Sequence, residues 1–261
     1  MNDLKDRVAL ITGASSGIGA ALALELTQHN VKLVLIARRG QKLAAIAAEI
    51  DPKGQKVLVI PGDVTKDGDL EKAVNLAHVK FGKIDIVIAN AGFAIRGNLE
   101  NLTIEDYRNQ WETNVFGVLR TIYATLDELK QTKGRLAIIC SVNGYVVFPG
   151  VSAYVMSKFA LRALCESLSL ELAPYGITVT HICPGFVATE SRITERQNQE
   201  KKEIPEWMLM STTETARQII KAIARRKPEI ILTGYGKLAV LLKRHLPGLL
   251  SWLMSRLKIN K

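Results

Sequence analysis

The sequence predicts an α/β fold: a doubly wound parallel sheet of about seven strands with helices on both faces, plus a C-terminal amphipathic helical extension. Three observations predict it. Short β-branched apolar runs recur along the 261 residues, segments of helical spacing lie between them, and the first run leads straight into the glycine-rich turn GASSGIG. A run that is apolar at every position suits a strand covered on both faces, and parallel pairing of successive strands needs a helical crossover between them.

Each element has its own signal. Runs at 7–12, 31–37, 56–60, 84–90, 135–140, 177–182 and 229–233 read as buried strands. GAALALELTQH, QKLAAIAAEI and LEKAVNLAHVKFG carry helical spacing, and Asn30 and Gly82 stop the first and third of them. A further helix opens at Thr103, whose pairing with Asp106 resembles a capping box, and runs through Asn114 towards Lys130. Near the end, Pro247 separates two helices. The second puts Leu246, Leu250, Leu253 and Leu257 at helical spacing, with Trp252 and Met254 widening the apolar face.

Composition narrows the classes. With 48% apolar and 23% charged residues, no repeat and no low-complexity tract, the chain reads as one globular domain over 1–234, followed by a basic tail at 235–261 that either belongs to that domain or meets a membrane surface. Cys140, Cys165 and Cys183 form no CxxC and lie in apolar runs, so they read as buried thiols; the four histidines show no HExxH, and no metal site is expected. There is no apolar stretch of signal-peptide or membrane-spanning length, so the expected location is cytoplasmic, with peripheral membrane contact through the tail as the variant. Nine of the ten excess positive charges fall in 192–261, and 235–261 holds six Lys or Arg and no acid. No recognition motif accompanies them, so nucleic acid is not an expected partner. A basic amphipathic helix suits an anionic lipid interface, or packing over its own or a neighbouring subunit.

Gly13, Gly17 and Gly19 follow the first strand and open the first helix, so backbone N–H groups at a positive helix terminus face whatever enters; a pyrophosphate fits. The spacing is G-x-x-x-G-x-G rather than G-x-G-x-x-G, and no Lys-Ser or Lys-Thr pair follows, which excludes a nucleoside-triphosphate loop. Of six tyrosines only Tyr154 has a lysine four residues on, Lys158, on the same face of a helix. Ser141 ends the strand RLAIIC and Asn114 lies inside the preceding long helix, so four polar groups can converge at the carboxyl edge of the sheet.

These motifs resemble the single-domain branch of the short-chain dehydrogenase/reductase family, over about residues 7–233. TGxxxGxG appears as Thr12 to Gly19, and the family's NNAG as ANAG, with Asn90, Ala91 and Gly92 matching. Asn114, Ser141, Tyr154 and Lys158 follow the catalytic set in order and spacing. The resemblance implies a Rossmann-type domain and an oxidoreductase in which Tyr154 is the acid/base, Lys158 holds the nicotinamide ribose, Ser141 polarises the substrate carbonyl and Asn114 supports the lysine through water. An unassisted phenol is a poor acid near neutrality; an adjacent ammonium and an oxidised nicotinamide both favour its tyrosinate form. The resemblance also assigns the dinucleotide to Ser15, Ser16 and Ile18 between the glycines, to Asp63 and Val64 at the adenine, and to Pro184, Gly185, Val187 and Thr189 at the carboxamide.

Where an acid at the end of the second strand would take the ribose hydroxyl of NAD, the chain has Arg38 and Arg39. Planar guanidiniums suit a 2'-phosphate, with Ser15 adding a hydroxyl, so NADP(H) is expected over NAD(H), Arg38 is the stronger of the two, and reduction is the expected direction. A substrate lid is expected at about 189–211, with Trp207, Met208, Leu209 and Met210, while Tyr145 and Val147 join Ser141 and Tyr154 at the substrate. These groups favour an apolar or lipid-like carbonyl. The alternatives are a 3-oxoacyl thioester reductase of fatty acid metabolism or a non-catalytic dinucleotide-sensing protein. The family commonly forms dimers and tetramers through the helices that here contain Asn114 and Tyr154, which implies a homo-oligomer.

Overall fold

The computed structural model describes residues 2–189, 193–195 and 204–256. The strands in chain order are β1 (Val8–Thr12), β2 (Lys32–Ala37), β3 (Val57–Pro61), β4 (Ile86–Ala89), β5 (Ala94–Arg96), β6 (Arg135–Ile139), β7 (Thr178–Cys183), β8 (Ile193–Glu195) and β9 (Glu229–Ile231). The helices are α1 (Gly17–Thr27), α2 (Gly40–Ile50), α3 (Asp69–Phe81), α4 (Ile104–Trp111), α5 (Gly117–Thr132), α6 (Ser152–Glu171), α7 (Thr212–Ala224), α8 (Gly234–His245) and α9 (Pro247–Arg256). Seven strands form one sheet in the order β3-β2-β1-β4-β6-β7-β9, every pairing parallel. The strand order reverses beside β1, between it and β4, and a crevice opens there at the carboxyl ends.

Alternation along each strand splits the core in two. Val8 and Leu10 face a cluster closed by Leu70 and Val74 of α3, Val118 and Ile122 of α5 and Leu161 of α6. Ala9 and Ile11 face the opposite cluster, closed by Leu22 and Leu26 of α1, Leu43 of α2 and Ile219 and Ile220 of α7. This double cover is why the strands read as unbroken apolar runs.

Helix ends obey local chemistry. Thr103 and Asp106 form the full capping box, the hydroxyl accepting from Asp106 N at 3.2 Å and the carboxylate accepting from Thr103 N at 2.9 Å. Gly82 terminates α3 at φ +78°, donating its N–H to His78 O, and Asn30 takes φ +57° just beyond α1.

Three differences from the sequence expectation emerge. The helix opened at Thr103 is not continuous: a π-turn at Glu112–Phe116 separates α4 from α5, closed by Gly117 N–H donating to Glu112 O. Strands β5 and β8 pair in parallel as a second, small sheet, each too short to leave a periodicity in sequence. The last strand ends at Ile231. Of the stretch expected as a lid, 190–192 and 196–203 lie outside the described residues; Ala188 N donates to Met210 O and Met210 N to Phe186 O, joining its two ends.

Pro247 does separate two tail helices. Val240 and Leu250 join the main core, whereas Leu238, Leu241, Leu246, Leu249 and Trp252 are exposed. Of the rest of the expected apolar face, the side chains of Leu253 and Met254 and the whole of Leu257 fall outside the described part. Among the described residues no helix is long and apolar enough to cross a membrane.

Candidate active site

The glycine turn is shaped by backbone requirements. Gly13 and Gly17 take φ +67° and +56°, where a side chain is strained. Gly19 is needed for space: a Cβ there would lie 2.5 Å from Gly13 O and 2.6 Å from Asn90 Nδ2. Asn90 fastens the turn to β4, its amide donating to Thr12 O at 2.9 Å and Gly13 O at 3.2 Å. Thr12 completes the joint, its hydroxyl accepting from the N–H groups of Asn90 and Ala91. Sequence reasoning placed Thr12 in the motif without giving it a role; a hydroxyl residue closing an apolar strand was the available signal. Across the crevice, the Thr189 methyl lies 3.2 Å from where a Gly17 Cβ would stand, so the segment after β7 closes over the turn.

The arginines at the end of β2 divide differently from expectation. Arg39 lies over the turn, with Nε and Nη2 donating to Ser15 Oγ at 3.1 and 3.0 Å and Nη2 also to Ser16 Oγ. Arg38 is 59% exposed and pairs with Asp63 at 3.7 Å. Arg39 is therefore the better placed of the two. Asp63 is occupied locally, accepting from Thr65 N and Oγ1, and Val64 is buried beneath Gly117, whose missing Cβ leaves it room.

The four candidate catalytic side chains share the carboxyl edge of the sheet. Tyr154 is in the first turn of α6, with the Lys158 ammonium 5.5 Å from its ring centroid. Lys158 is 6% exposed and donates to Ile139 O at 3.0 Å, pinning α6 to the end of β6. Ser141 lies two residues beyond Ile139 and caps a short turn, its hydroxyl accepting from Asn143 N at 3.1 Å. That turn packs on α6: a Cβ on Gly144 would lie 3.1 Å from Lys158 O.

Asn114 is in the π-turn, 1% exposed. Its Oδ1 accepts from Phe93 N at 3.1 Å, and its Nδ2 donates to Phe93 O at 3.0 Å and to Ser157 Oγ at 3.2 Å. Ser157 in turn donates to Tyr154 O at 2.7 Å. This chain of bonds joins Asn114 to the tyrosine's own backbone through a serine that sequence reasoning missed, although it stands directly before Lys158. One inserted residue turns the rest of a helix about its axis, and π-turns recur at functional sites.

Two substrate-side expectations part company. Val147 is exposed. Tyr145 is turned away: it is buried, its hydroxyl donates to Glu229 Oε1 at 2.5 Å, and Arg162 stacks on its ring at 4.1 Å. A buried phenol takes the strongest acceptor in reach, here a carboxylate on the edge strand, and is lost to the substrate. Burial works against an ionised Cys140 thiol, yet hydrogen bonds to Cys183 and His181 and the nearby Lys158 ammonium hold it well below the ordinary thiol value.

The segment after β7 is braced from the tail. The Tyr235 hydroxyl of α8 accepts from Phe186 N at 2.6 Å and fills the space beside Gly185, which has no room for a Cβ. A groove of about 530 Å³ lies elsewhere, on the outer face of α4 and α6 between Ile104, Tyr107, Trp111, Phe116 and Met156.

Comparison with known proteins agrees with this geometry. The family pattern described as short chain dehydrogenase matches residues 7–200. An uncharacterized oxidoreductase of Staphylococcus aureus (strain USA300) is 33% identical over 82% of this chain and 94% of its own length. An alcohol dehydrogenase from the archaeon Thermococcus sibiricus, complexed with 5-hydroxy-NADP, is 30% identical with a TM-score of 0.76, covering 87% of this chain and 95% of its own. A 3-ketoacyl-(acyl-carrier-protein) reductase from Brucella melitensis, complexed with NADH, is 26% identical with a TM-score of 0.80, covering 88% and 98%. A pattern that spans residues 7–200, on a sheet whose carboxyl edge carries the four polar side chains just described, makes this protein a member of the short-chain dehydrogenase family of oxidoreductases.

Proposed function

We propose that the protein is an NADP(H)-dependent reductase of an apolar or lipid-like carbonyl, with residues 1–234 as the dinucleotide-binding and catalytic domain. The observation that carries the cofactor preference is Arg39, a guanidinium lying on Ser15 and Ser16 at the end of β2, where no carboxylate stands. The three-glycine cradle, in which a Cβ on Gly13 or Gly19 would collide with backbone, fits a pyrophosphate, and Asn90, Ala91, Gly92 and the turn from Pro184 to Thr189 flank it. Bound there, the nicotinamide supplies the hydride for the carbonyl carbon.

The chain's own groups handle the oxygen. Ser141 holds the carbonyl oxygen, and the Tyr154 hydroxyl gives it a proton. The Lys158 ammonium, kept out of bulk water by Ile139 O and α6, stabilises the phenolate left behind. Asn114 and Ser157 fix the first turn of α6, so the phenol stays aimed. Replacing Arg39 with Ala tests the cofactor assignment: loss of charge-assisted hydrogen bonds is expected to raise the KM for NADPH by about 10- to 100-fold and leave that for NADH nearly unchanged. Equal losses for both would reduce Arg39 to a packing residue.

Likeness to the Brucella reductase favours a second substrate reading, a 3-oxoacyl thioester; turnover of thioesters but not of free ketones selects it. A protein that binds the dinucleotide yet turns over neither would be a sensor.

Two surfaces complete the proposal. The groove between α4 and α6, with exposed Ile104, Phe116 and Met156, is the contact for a second copy of the chain. Light scattering on the intact protein is expected to exceed one protomer's mass and to fall to one in a Phe116→Glu, Met156→Glu variant; a monomeric parent overturns this. In the tail, α8 turns Leu238 and Leu241 outward beside Lys237 and His245, and Leu249 and Trp252 extend the apolar surface along α9. This surface suits an anionic lipid interface, so the enzyme is cytoplasmic with peripheral membrane contact. The full chain is expected to sediment with phosphatidylserine-containing vesicles, and Leu238→Glu with Leu241→Glu to abolish it. No vesicle binding by the parent would leave the tail a packing element.

A further inference from the structure

A second cluster of chemically able side chains lies on the far side of β6 and β7 from the glycine turn. His181 and Cys183 are two apart on β7 and therefore on one face; the register sets His181 opposite Glu229 of β9. On the other flank Cys140, just beyond β6, donates its backbone N–H to Ile182 O, which puts it level with Cys183. The imidazole and both thiols are buried, at 4%, 3% and 0% exposure, and all three cysteines of the chain belong to the same core cluster.

The ligand atoms of His181, Cys183 and Glu229 lie within 4.8 Å of one another, with His181 Nε2 3.4 Å from Cys183 Sγ. A tetrahedral zinc ion with Zn–S of about 2.3 Å and Zn–N of about 2.0 Å separates sulfur from nitrogen by roughly 3.5 Å, so that pair is already spaced to bind. The ring nitrogens of His181 meet the Cys183 sulfur at 3.7 and 3.4 Å, a weak partner for a buried imidazole. Glu229 is oriented by the Tyr145 hydroxyl, and the Arg244 guanidinium lies 3.6 Å from its other oxygen. Its side chain is 32% exposed, which leaves a path from solvent at the edge strand.

We propose that His181, Cys183 and Glu229, with Cys140 as the fourth ligand, form a closed site for a borderline-soft divalent cation, Zn²⁺, that fastens the edge strand β9 to the centre of the sheet. Two thiols and an imidazole suit zinc over the oxygen-seeking Mg²⁺ and Ca²⁺, and four protein ligands leave no open position, which makes the site structural. The strand it would hold is three residues long and leads directly into α8, whose Arg244 reaches Glu229 and whose Tyr235 braces the turn after β7. The motif escapes sequence inspection because ligand pairs are sought at helical or knuckle spacing, not at i, i+2 on a buried strand.

Co²⁺ titration of the metal-free intact protein tests it. Expected are a thiolate-to-cobalt charge-transfer band and intense visible bands of four-coordinate cobalt, displaced by Zn²⁺. Cys183→Ser and His181→Gln, checked for folding by dinucleotide binding, are expected to lose affinity by on the order of 100-fold, whereas Tyr154→Phe keeps the spectrum and so separates this site from the catalytic one. As a check that needs no variant, X-ray absorption of the zinc-loaded parent is expected to find sulfur at about 2.3 Å and nitrogen at about 2.0 Å. An oxygen-only shell, or cobalt bands that survive both substitutions, overturns the proposal.

Discussion

Replacing Tyr154 with Phe is expected to leave NADPH binding intact and to lower carbonyl turnover by on the order of 10²- to 10⁴-fold, the range general acid–base catalysis supplies. The substitution removes one oxygen and keeps the ring that packs under the Lys158 ammonium at 5.5 Å, so the lysine keeps its bond to Ile139 O and α6 keeps its place. Asn114 and Ser157 are equally undisturbed, because they hold the Tyr154 backbone carbonyl and not its hydroxyl. What disappears is the proton source for the carbonyl oxygen. The loss therefore falls on kcat, with the dissociation constant for NADPH within about twofold of the parent. Fluorescence titration and steady-state kinetics on the same preparation read both quantities. Undiminished kcat would remove Tyr154 from the chemistry and point to Ser141 or a water as the proton donor.

Much of this site was legible because its parts obey local rules. The cradle comes from glycines at a strand-to-helix turn, the Tyr154–Lys158 pair from helical spacing, and the position of Ser141 from the end of an apolar run. What escaped has the opposite character. The π-turn around Asn114 is one residue inserted between two stretches that each keep normal helical spacing, and no composition signal marks it. Arg38 and Arg39 are adjacent at a strand end, so their sequence could not say which guanidinium turns onto Ser15. Tyr145 reads as a pocket residue beside Val147 until Glu229, 84 residues later, is brought against its hydroxyl. Ser157 and Thr12 work through backbone groups that only the tertiary fold juxtaposes. Long-range partners decide each of these, and a single sequence carries no record of them.

Gly19→Ala is expected to weaken dinucleotide binding by roughly ten- to a hundredfold, the equivalent of the ~1–3 kcal/mol that an extra methyl costs in a close-packed site. The added carbon would stand 2.5 Å from Gly13 O and 2.6 Å from Asn90 Nδ2, and neither can withdraw cheaply. Gly13 is at φ +67°, a conformation set by the turn, and the Asn90 amide is bonded to the carbonyls of both Thr12 and Gly13. Relief must come from moving the turn outward, which swings the backbone N–H groups at the start of α1 away from the pyrophosphate they are shaped to meet. The fold does not depend on that turn's exact course, since Leu22 and Leu26 keep α1 on the sheet. Thermal unfolding is therefore expected to change less than cofactor affinity does. Gly248→Ala, at a position where an added Cβ meets nothing within 4 Å, serves as the comparison and should bind like the parent. If Gly19→Ala binds NADPH as tightly as Gly248→Ala, the third glycine serves helix packing alone, and the cradle must be sought in Gly13, Gly17 and the serines between them.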